Sequence, residues 1–177
     1  MIPKAFILDV DGVMTTGQFF YTEEGKVMKV FGADDNDALS LLKQHIKNII
    51  FVTGDKKGYK ITQKRIVEDM GYPLFLVSTI DRIKWIKDFF DPKEVIYMGD
   101  GIFDHYVFRE VGYSIAPSHS DPNAWKYANF VTKRTGGNRA VAEACLHIME
   151  KFFEPYNPEE LPNSKLKYSG EWLYDAQ

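Results

Sequence analysis

Five short, almost wholly apolar runs separated by helical patterns predict an α/β protein. The expected architecture is a Rossmann-like open parallel sheet with helices on both faces, a β-hairpin inserted after the first strand, and no cap domain. The runs are Ala5-Phe6-Ile7-Leu8, Ile49-Ile50-Phe51-Val52, Leu74-Phe75-Leu76-Val77, Val95-Ile96-Tyr97-Met98 and Tyr113-Ser114-Ile115-Ala116. They lack the polar alternation of a half-solvated strand, as strands covered on both faces do. Between and after them, segments 37–45, 60–70, 80–90, 104–111 and 138–151 carry apolar residues at helical spacing. Repeated strand–helix alternation with right-handed crossovers yields a parallel sheet.

Taken in order, the first departure from that rhythm follows the first strand. Residues 18–22, a turn at Glu23-Glu24-Gly25-Lys26, and residues 27–31 read as a hairpin. Phe19, Phe20, Tyr21, Val27, Met28, Val30 and Phe31 make it too apolar for both faces to be solvated, so the protein's own core or another subunit must cover it. Asn129-Phe130-Val131-Thr132 is a weaker sixth strand. Residues 1–153 form the expected domain. Residues 154–177 form a tail whose Pro155, Pro158 and Pro162 preclude a regular helix, and whose Tyr156, Leu161, Tyr168, Trp172, Leu173 and Tyr174 suggest docking.

Composition narrows the function. A chain of 177 residues with a net charge of −3 and no basic cluster does not suit nucleic-acid binding. No segment approaches membrane-spanning length, and the N-terminus lacks a signal-peptide pattern. The one cysteine, Cys145, lies in an apolar helical stretch and excludes an internal disulfide; a reducing, cytoplasmic location is expected. His45, His105, His119 and His147 show no metal-ligand spacing.

Chemistry gathers at three strand ends. Asp9-Val10-Asp11-Gly12 follows the first strand, and carboxylates two residues apart on extended backbone project to one side. Crowding them is costly unless a cation neutralises them. Taken alone, the pair serves equally well as turn-capping acids. Val52-Thr53-Gly54 closes the second strand, and Thr53 and Gly54 can present a hydroxyl and N–H groups to phosphate. Met98-Gly99-Asp100-Gly101 closes the fourth, with Asp104 one turn on; Asp100 can complete an oxygen cage for Mg²⁺. All three lie on the carboxyl edge of one sheet, where open α/β folds bind ligands.

In that order, Asp-x-Asp-Gly, strand-end Thr-Gly, a basic residue at a helix start and Gly-Asp with a later Asp resemble the haloacid dehalogenase superfamily. The hairpin, segment 31–42, and Val131-Thr132 leading to Gly136-Gly137, Ala140-Val141 and Glu143 resemble its capless branch. That branch includes 3-deoxy-manno-octulosonate 8-phosphate and nonulosonate 9-phosphate phosphatases. The resemblance spans roughly residues 4–151. It implies that Asp9 attacks phosphorus to form an aspartyl-phosphate while Asp11 serves as acid and then base. It further implies that Asp9, the carbonyl of Val10, Asp11 and Asp100 hold Mg²⁺, with Asp104 behind them. Thr53, Gly54 and a basic residue, Arg82 or Lys84, would hold phosphate, and hairpins from four subunits would pack into a homotetramer.

Several positions depart from the branch. The family usually has Lys where this chain has Arg82. Asp55 stands where relatives carry Arg or Glu, and an acid there would repel a substrate carboxylate while accepting hydrogen bonds from sugar hydroxyls. Asp35 follows an acid, Asp34, in place of Arg, and the glycine-rich segment reads Gly136-Gly137-Asn138-Arg139. Asp35, Asp55, Gly136 and Gly137 are therefore the expected substrate pocket, although Asp34, Asp35 and Asp37 equally suit a solvated helix start. The expected activity is Mg²⁺-dependent hydrolysis of a phosphorylated sugar or sugar acid. Its rivals are a degenerate relative that binds a phosphorylated ligand or partner without turnover, and a phosphotransferase, for which the chain has no cap-sized insertion.

Overall fold

The computed structural model describes residues 1–162. Six parallel strands form one sheet in the order β5-β4-β1-β6-β7-β8: β1 (Ala5–Asp9), β4 (Asn48–Thr53), β5 (Leu74–Leu76), β6 (Val95–Met98), β7 (Tyr113–Ala116) and β8 (Phe130–Val131). The chain winds outward from β1 through β4 to β5, then returns to the other side of β1 and winds outward through β6, β7 and β8. The order reverses between β1 and β6, which opens a crevice at their carboxyl ends. Asp9 ends β1 and Asp100 follows β6, so the two flank that crevice.

Alternation along β1 builds two cores. Phe6 and Leu8 pack with Leu39, Leu42, Val141 and Ile148 of α1 (Asp35–Leu42) and α6 (Ala140–Phe152). Ala5 and Ile7 pack with Ile86 of α3 (Arg82–Phe89), Val107 of α4 (Asp104–Phe108) and Ala124 of α5 (Pro122–Tyr127). The covered strands β1, β4, β6 and β7 therefore carry apolar side chains at almost every position, which explains their near-continuous runs. The edge strand β5, expected to be covered on both faces, instead exposes Phe75 and Leu76 by 42% and 47%.

The sequence reading differs from the structure in detail. Helix α5 lies outside the five expected helical segments, although Trp125 falls in a helical pattern; it is short, and Asp121 caps it by accepting from the Asn123 N–H, with Pro122 at its first position. The pattern over 60–70 is not one α-helix: α2 (Tyr59–Gln63) widens into a π-helical segment, Lys64–Asp69. The hairpin starts earlier than expected, with β2 (Thr15–Thr22) and β3 (Gly25–Phe31) joined by Glu23-Glu24, and it forms its own sheet. After α6, Tyr156 lines grooves together with Leu41 of α1 and Leu146 of α6, while Leu161 is 95% exposed. Tyr168, Trp172, Leu173 and Tyr174 lie outside the described residues. Among the described residues, no helix is long and apolar enough to cross a membrane.

Candidate active site

Asp9, the last residue of β1, is 8% exposed and held from both sides. The Val10 N–H donates to Oδ1 at 2.7 Å. Arg82, at the start of α3, meets the carboxylate with two nitrogens, Nη1 to Oδ2 at 2.7 Å and Nη2 to Oδ1 at 3.0 Å. That bidentate fit is one the point charge of a lysine cannot make. Arg82 is itself 2% exposed and also donates to Tyr97 Oη and Asp104 Oδ1, at 2.7 and 3.1 Å. Lys84 is exposed and lines a separate groove with Phe75 and Trp85, so Arg82 is the basic group that reaches Asp9.

Asp104 is fully buried. Its Oδ1 accepts from Tyr97 at 2.7 Å, and its Oδ2 accepts the N–H groups of Asp100 and Gly101 at 3.0 and 2.8 Å. It thereby fixes the loop that carries Asp100. Two glycines make room: a Cβ on Gly99 would lie 2.5 Å from the Asp104 carboxylate, and one on Gly12, whose φ is +84°, would lie 1.9 Å from Asp100 Oδ2. Ligand atoms of Asp9, Asp100 and Asp104 all lie within 4.8 Å of one another. Burial lifts Asp9 to about 6 against the pull of Arg82. Burial, then the negative charges of Asp9 and Asp104, push Asp100 up to about 8.

Two groups expected from sequence take other roles. The Val10 carbonyl accepts the N–H groups of Val13, Met14 and Thr15 at 3.2, 2.9 and 3.1 Å, so it is turned into the chain and is not available to a cation. Asp11 is the neighbour better placed, since among the described residues no hydrogen bond is made to its carbonyl. Thr53 is fully buried; its hydroxyl donates to Asp11 Oδ2 at 3.4 Å and accepts the Asp55 N–H at 3.1 Å. The open wall is formed instead by Gly54, expected from the sequence, together with Ser78 and Thr79, which the sequence did not single out. A cleft of about 310 Å³ is lined by Asp9, Asp11, Gly54, Asp55, Ser78, Thr79 and Arg82.

The hairpin also enters the site. Lys29 Nζ lies 2.8 Å from Asp11 Oδ1 and 2.9 Å from Asp55 Oδ2, and Lys26 Nζ lies 2.5 Å from the same Asp55 oxygen. Lys26 is further held over the Phe19 ring, 3.3 Å from its centroid. Burial alone would raise Asp55, but the bonds from Lys26 and Lys29 hold it down at about 2. Asp55 is thus a compensated acid and not the free repulsive charge its sequence position suggested.

The other expected pocket residues lie elsewhere. Asp35 is 1% exposed, and its Oδ1 accepts the Ala142 N–H at 2.9 Å, capping the first turn of α6 from another helix. Burial pushes its carboxyl up to about 6. Asp34 pairs with Arg139, and both adopt φ of 67°. Gly136 and Gly137 do not line the cleft; they brace it from behind, since a Cβ on Gly136 would lie 1.9 Å from the Gly12 carbonyl oxygen and one on Gly137 2.5 Å from the Thr16 nitrogen. His105 is half-buried and bonds the Ile102 carbonyl through its Nδ1.

With all five carboxylates ionised (Asp9, Asp11, Asp55, Asp100, Asp104), three cations (Lys26, Lys29, Arg82) leave 5 − 3, or two, negative charges uncompensated, a crowding that Asp9 and Asp100 relieve by holding protons more tightly when no cation is bound. A divalent, oxygen-seeking cation fits both the charge and the donor set. Asp9, Asp11 and Asp100 would hold it. An open α/β sheet with such a carboxylate cluster at its switch point and a basic clamp, and with no cap among the described residues, is the arrangement expected of a hydrolase resembling the haloacid dehalogenase type.

Comparison with known proteins agrees. No protein-family profile matches the chain. It is 27% identical over 147 residues to the 3-deoxy-D-manno-octulosonate 8-phosphate phosphatase KdsC of Yersinia pestis, covering 80% of this chain and 77% of that one. The solved phosphatase of that name from Yersinia pestis superposes with a TM-score of 0.73 at 27% identity, covering 85% of this chain and 82% of the other. The one from Moraxella catarrhalis, solved with a magnesium ion, a phosphate ion and a KDO molecule, gives 0.70 at 26% identity over 84% and 86%. These relatives support a KdsC-like protein of the haloacid dehalogenase superfamily and a phosphatase of the phosphoric monoester hydrolase class.

Proposed function

We propose that this enzyme hydrolyses the phosphate ester of a small sugar or sugar acid, of the octulosonate or nonulosonate phosphate class, with Mg²⁺ as cofactor and through an aspartyl-phosphate on Asp9. The observation that carries the reading is the seating of Asp9: a buried carboxylate at the switch point, gripped by Arg82, opening onto the cleft, with an oxygen of Asp100 within 4.8 Å of its own. When bound there, Mg²⁺ supplies charge neutralisation for phosphate and acidity toward its oxygens. The chain's own residues do the rest. Arg82 keeps Asp9 ionised and in plane for in-line attack, and Gly54, Ser78 and Thr79 border the space for the phosphoryl oxygens. Asp11 protonates the leaving alkoxide and then takes a proton from water as the aspartyl-phosphate is hydrolysed.

Two departures from the resembling branch are compensated within the structure. Arg82 reaches the nucleophile directly, and Asp55 is matched by Lys26 and Lys29, so an anionic sugar acid meets a balanced wall. That weakens the reading of a degenerate protein without turnover. The Moraxella relative, solved with KDO and phosphate, makes a sugar-acid phosphate the first substrate to try.

The hairpin exposes Phe20, Tyr21, Val27 and Met28 by 44–60%, a surface we assign to packing between copies in a homotetramer. We assign the protein to the cytoplasm, where a free, buried Cys145 is kept reduced. The test is phosphate release across octulosonate, nonulosonate and aldose phosphates with and without Mg²⁺. Release from a sugar-acid phosphate only with the metal is expected; no release from any member would overturn the assignment.

A further inference from the structure

Lys29 sits in mid-strand on a hairpin whose outer face is exposed, yet its own side chain is wholly buried. Its neighbours Met28 and Val30 are 55% and 40% exposed, so alternation turns Lys29 inward. An ammonium offers three N–H donors and no acceptor. All three are used here: to Thr62 Oγ1 at 2.9 Å, to Asp11 Oδ2 at 3.0 Å, and toward Asp55 Oδ2 at 2.9 Å. Asp55 is in turn tied down by the Gly58 N–H, which donates to its Oδ1 at 3.0 Å, and by Lys26. The ammonium therefore has one position open to it, set by the hairpin, by α2 and by the loop after β4.

Asp11 has much less support of its own. Its carboxylate is 18% exposed at the head of a turn, and apart from Lys29 its side-chain contact is the long 3.4 Å bond from Thr53. Lys29 is thus the group that decides where the Asp11 oxygens point.

We infer that Lys29 is a positioning residue for the acid–base step, holding the Asp11 carboxyl in line with the leaving oxygen; this rests on the acid–base role proposed for Asp11. In that step the Asp9 oxygen bonds to phosphorus as the bond from phosphorus to the leaving oxygen breaks. The electron pair stays on that oxygen, which takes the Asp11 proton. The hydrolytic water then returns a proton to Asp11 as its oxygen displaces Asp9 from phosphorus.

A leaving group that is stable as an anion needs no proton, and this separates positioning from general damage to the site. The parent, D11N, K29M and K29R are compared with Mg²⁺ on p-nitrophenyl phosphate and on the alkyl phosphate the parent turns over fastest. General acid catalysis contributes about 10²–10⁴-fold. D11N and K29M should therefore lose about 100-fold or more in kcat/KM on the alkyl ester and less than about 5-fold on the aryl ester. K29R keeps the charge but replaces a three-way donor by a planar fork, and should fall between parent and K29M on the alkyl ester.

If D11N shows the split and K29M loses both substrates equally, the inference is overturned and the proposed function stands. If D11N itself shows no split, the acid–base role fails, and the inference with it. Circular dichroism reports folding. If K29M does not fold, K29R carries the comparison under the same criterion; if neither folds, Lys29 is a structural residue and the inference is overturned.

Discussion

Replacing Arg82 with methionine keeps much of the side chain's volume and removes the guanidinium on which two buried carboxylates depend. Arg82 is 2% exposed and gives Asp9 two hydrogen bonds, of 2.7 and 3.0 Å, and Asp104 one of 3.1 Å. Removing one partner of a buried ion pair costs about 3–5 kcal/mol, because the remaining charge loses its compensation without regaining water. Against a total stability of about 5–15 kcal/mol, R82M should fold but unfold at much lower urea. The deficit should also depend on pH. Asp9 sits at about 6 in the folded protein against an ordinary 3.8, and loss of Arg82 raises it further. A carboxyl raised on folding binds its proton more tightly in the native state. Its charge penalty is absent below the unfolded value and grows as pH rises through the folded one.

The R82M deficit should therefore be smallest near pH 4 and increase through and beyond pH 6. Urea unfolding followed by circular dichroism, without metal, at pH 4.5, 6.5 and 8 on the order of these values, measures it by linear extrapolation. A variant within about 1 kcal/mol of the parent at every pH, or a deficit that does not change with pH, would refute the reasoning, since the grip on Asp9 would then carry no electrostatic weight.

Two further outcomes follow from the supports behind the site. Asp35→Asn keeps an oxygen for the Ala142 N–H and removes a buried charge whose carboxyl is raised from 3.8 to about 6. Its stability should rise at pH 8 by on the order of 1–3 kcal/mol, seen as a higher melting point, and the gain should fade as pH drops through 6 toward 4, where the parent's carboxyl is protonated. A lower melting point at pH 8 would count against this account of Asp35. Gly136→Ala places a Cβ 1.9 Å from the Gly12 carbonyl, a backbone atom that must move. We expect about 1–3 kcal/mol of destabilisation and at least a 10-fold fall in phosphate release. Parent-like kinetics would show that the loop carrying Asp11 tolerates the shift.

How much of this the sequence disclosed depends on whether the signal was local. The strands were legible because a β1 flanked by β4 and β6 and covered on both faces admits few polar side chains, and Asp9 and Asp100 were legible because each directly follows such a run. Helix α5 has six residues, too few for periodicity to register, although its Asp-Pro start was present. Lys29 was invisible as a site residue because its partners Asp11 and Thr62 are 18 and 33 positions away and alternation on a hairpin does not say which face meets the core. Asp35 was misread for the same reason: an acid at a helix start usually serves that helix, whereas its hydrogen bond reaches Ala142, 107 positions on. Asp55 reads from sequence as repulsive to a carboxylate or as an acceptor for sugar hydroxyls, because its partners Lys26 and Lys29 lie on a distant hairpin. Ser78 and Thr79 begin an ordinary 3₁₀ turn, and only the placement of that turn beside Gly54 makes them part of the cleft.

The central claim is that Asp9 is the nucleophile, and the most direct measurement is phosphate release by D9N beside the parent, with Mg²⁺ and the best sugar-acid phosphate. Asparagine keeps the side chain's shape and an oxygen for the Val10 N–H, so the circular dichroism spectrum should be unchanged. A nucleophile that forms the covalent intermediate is indispensable, and turnover should fall by at least about 1,000-fold. A folded D9N that releases phosphate at the parent's rate would contradict the account.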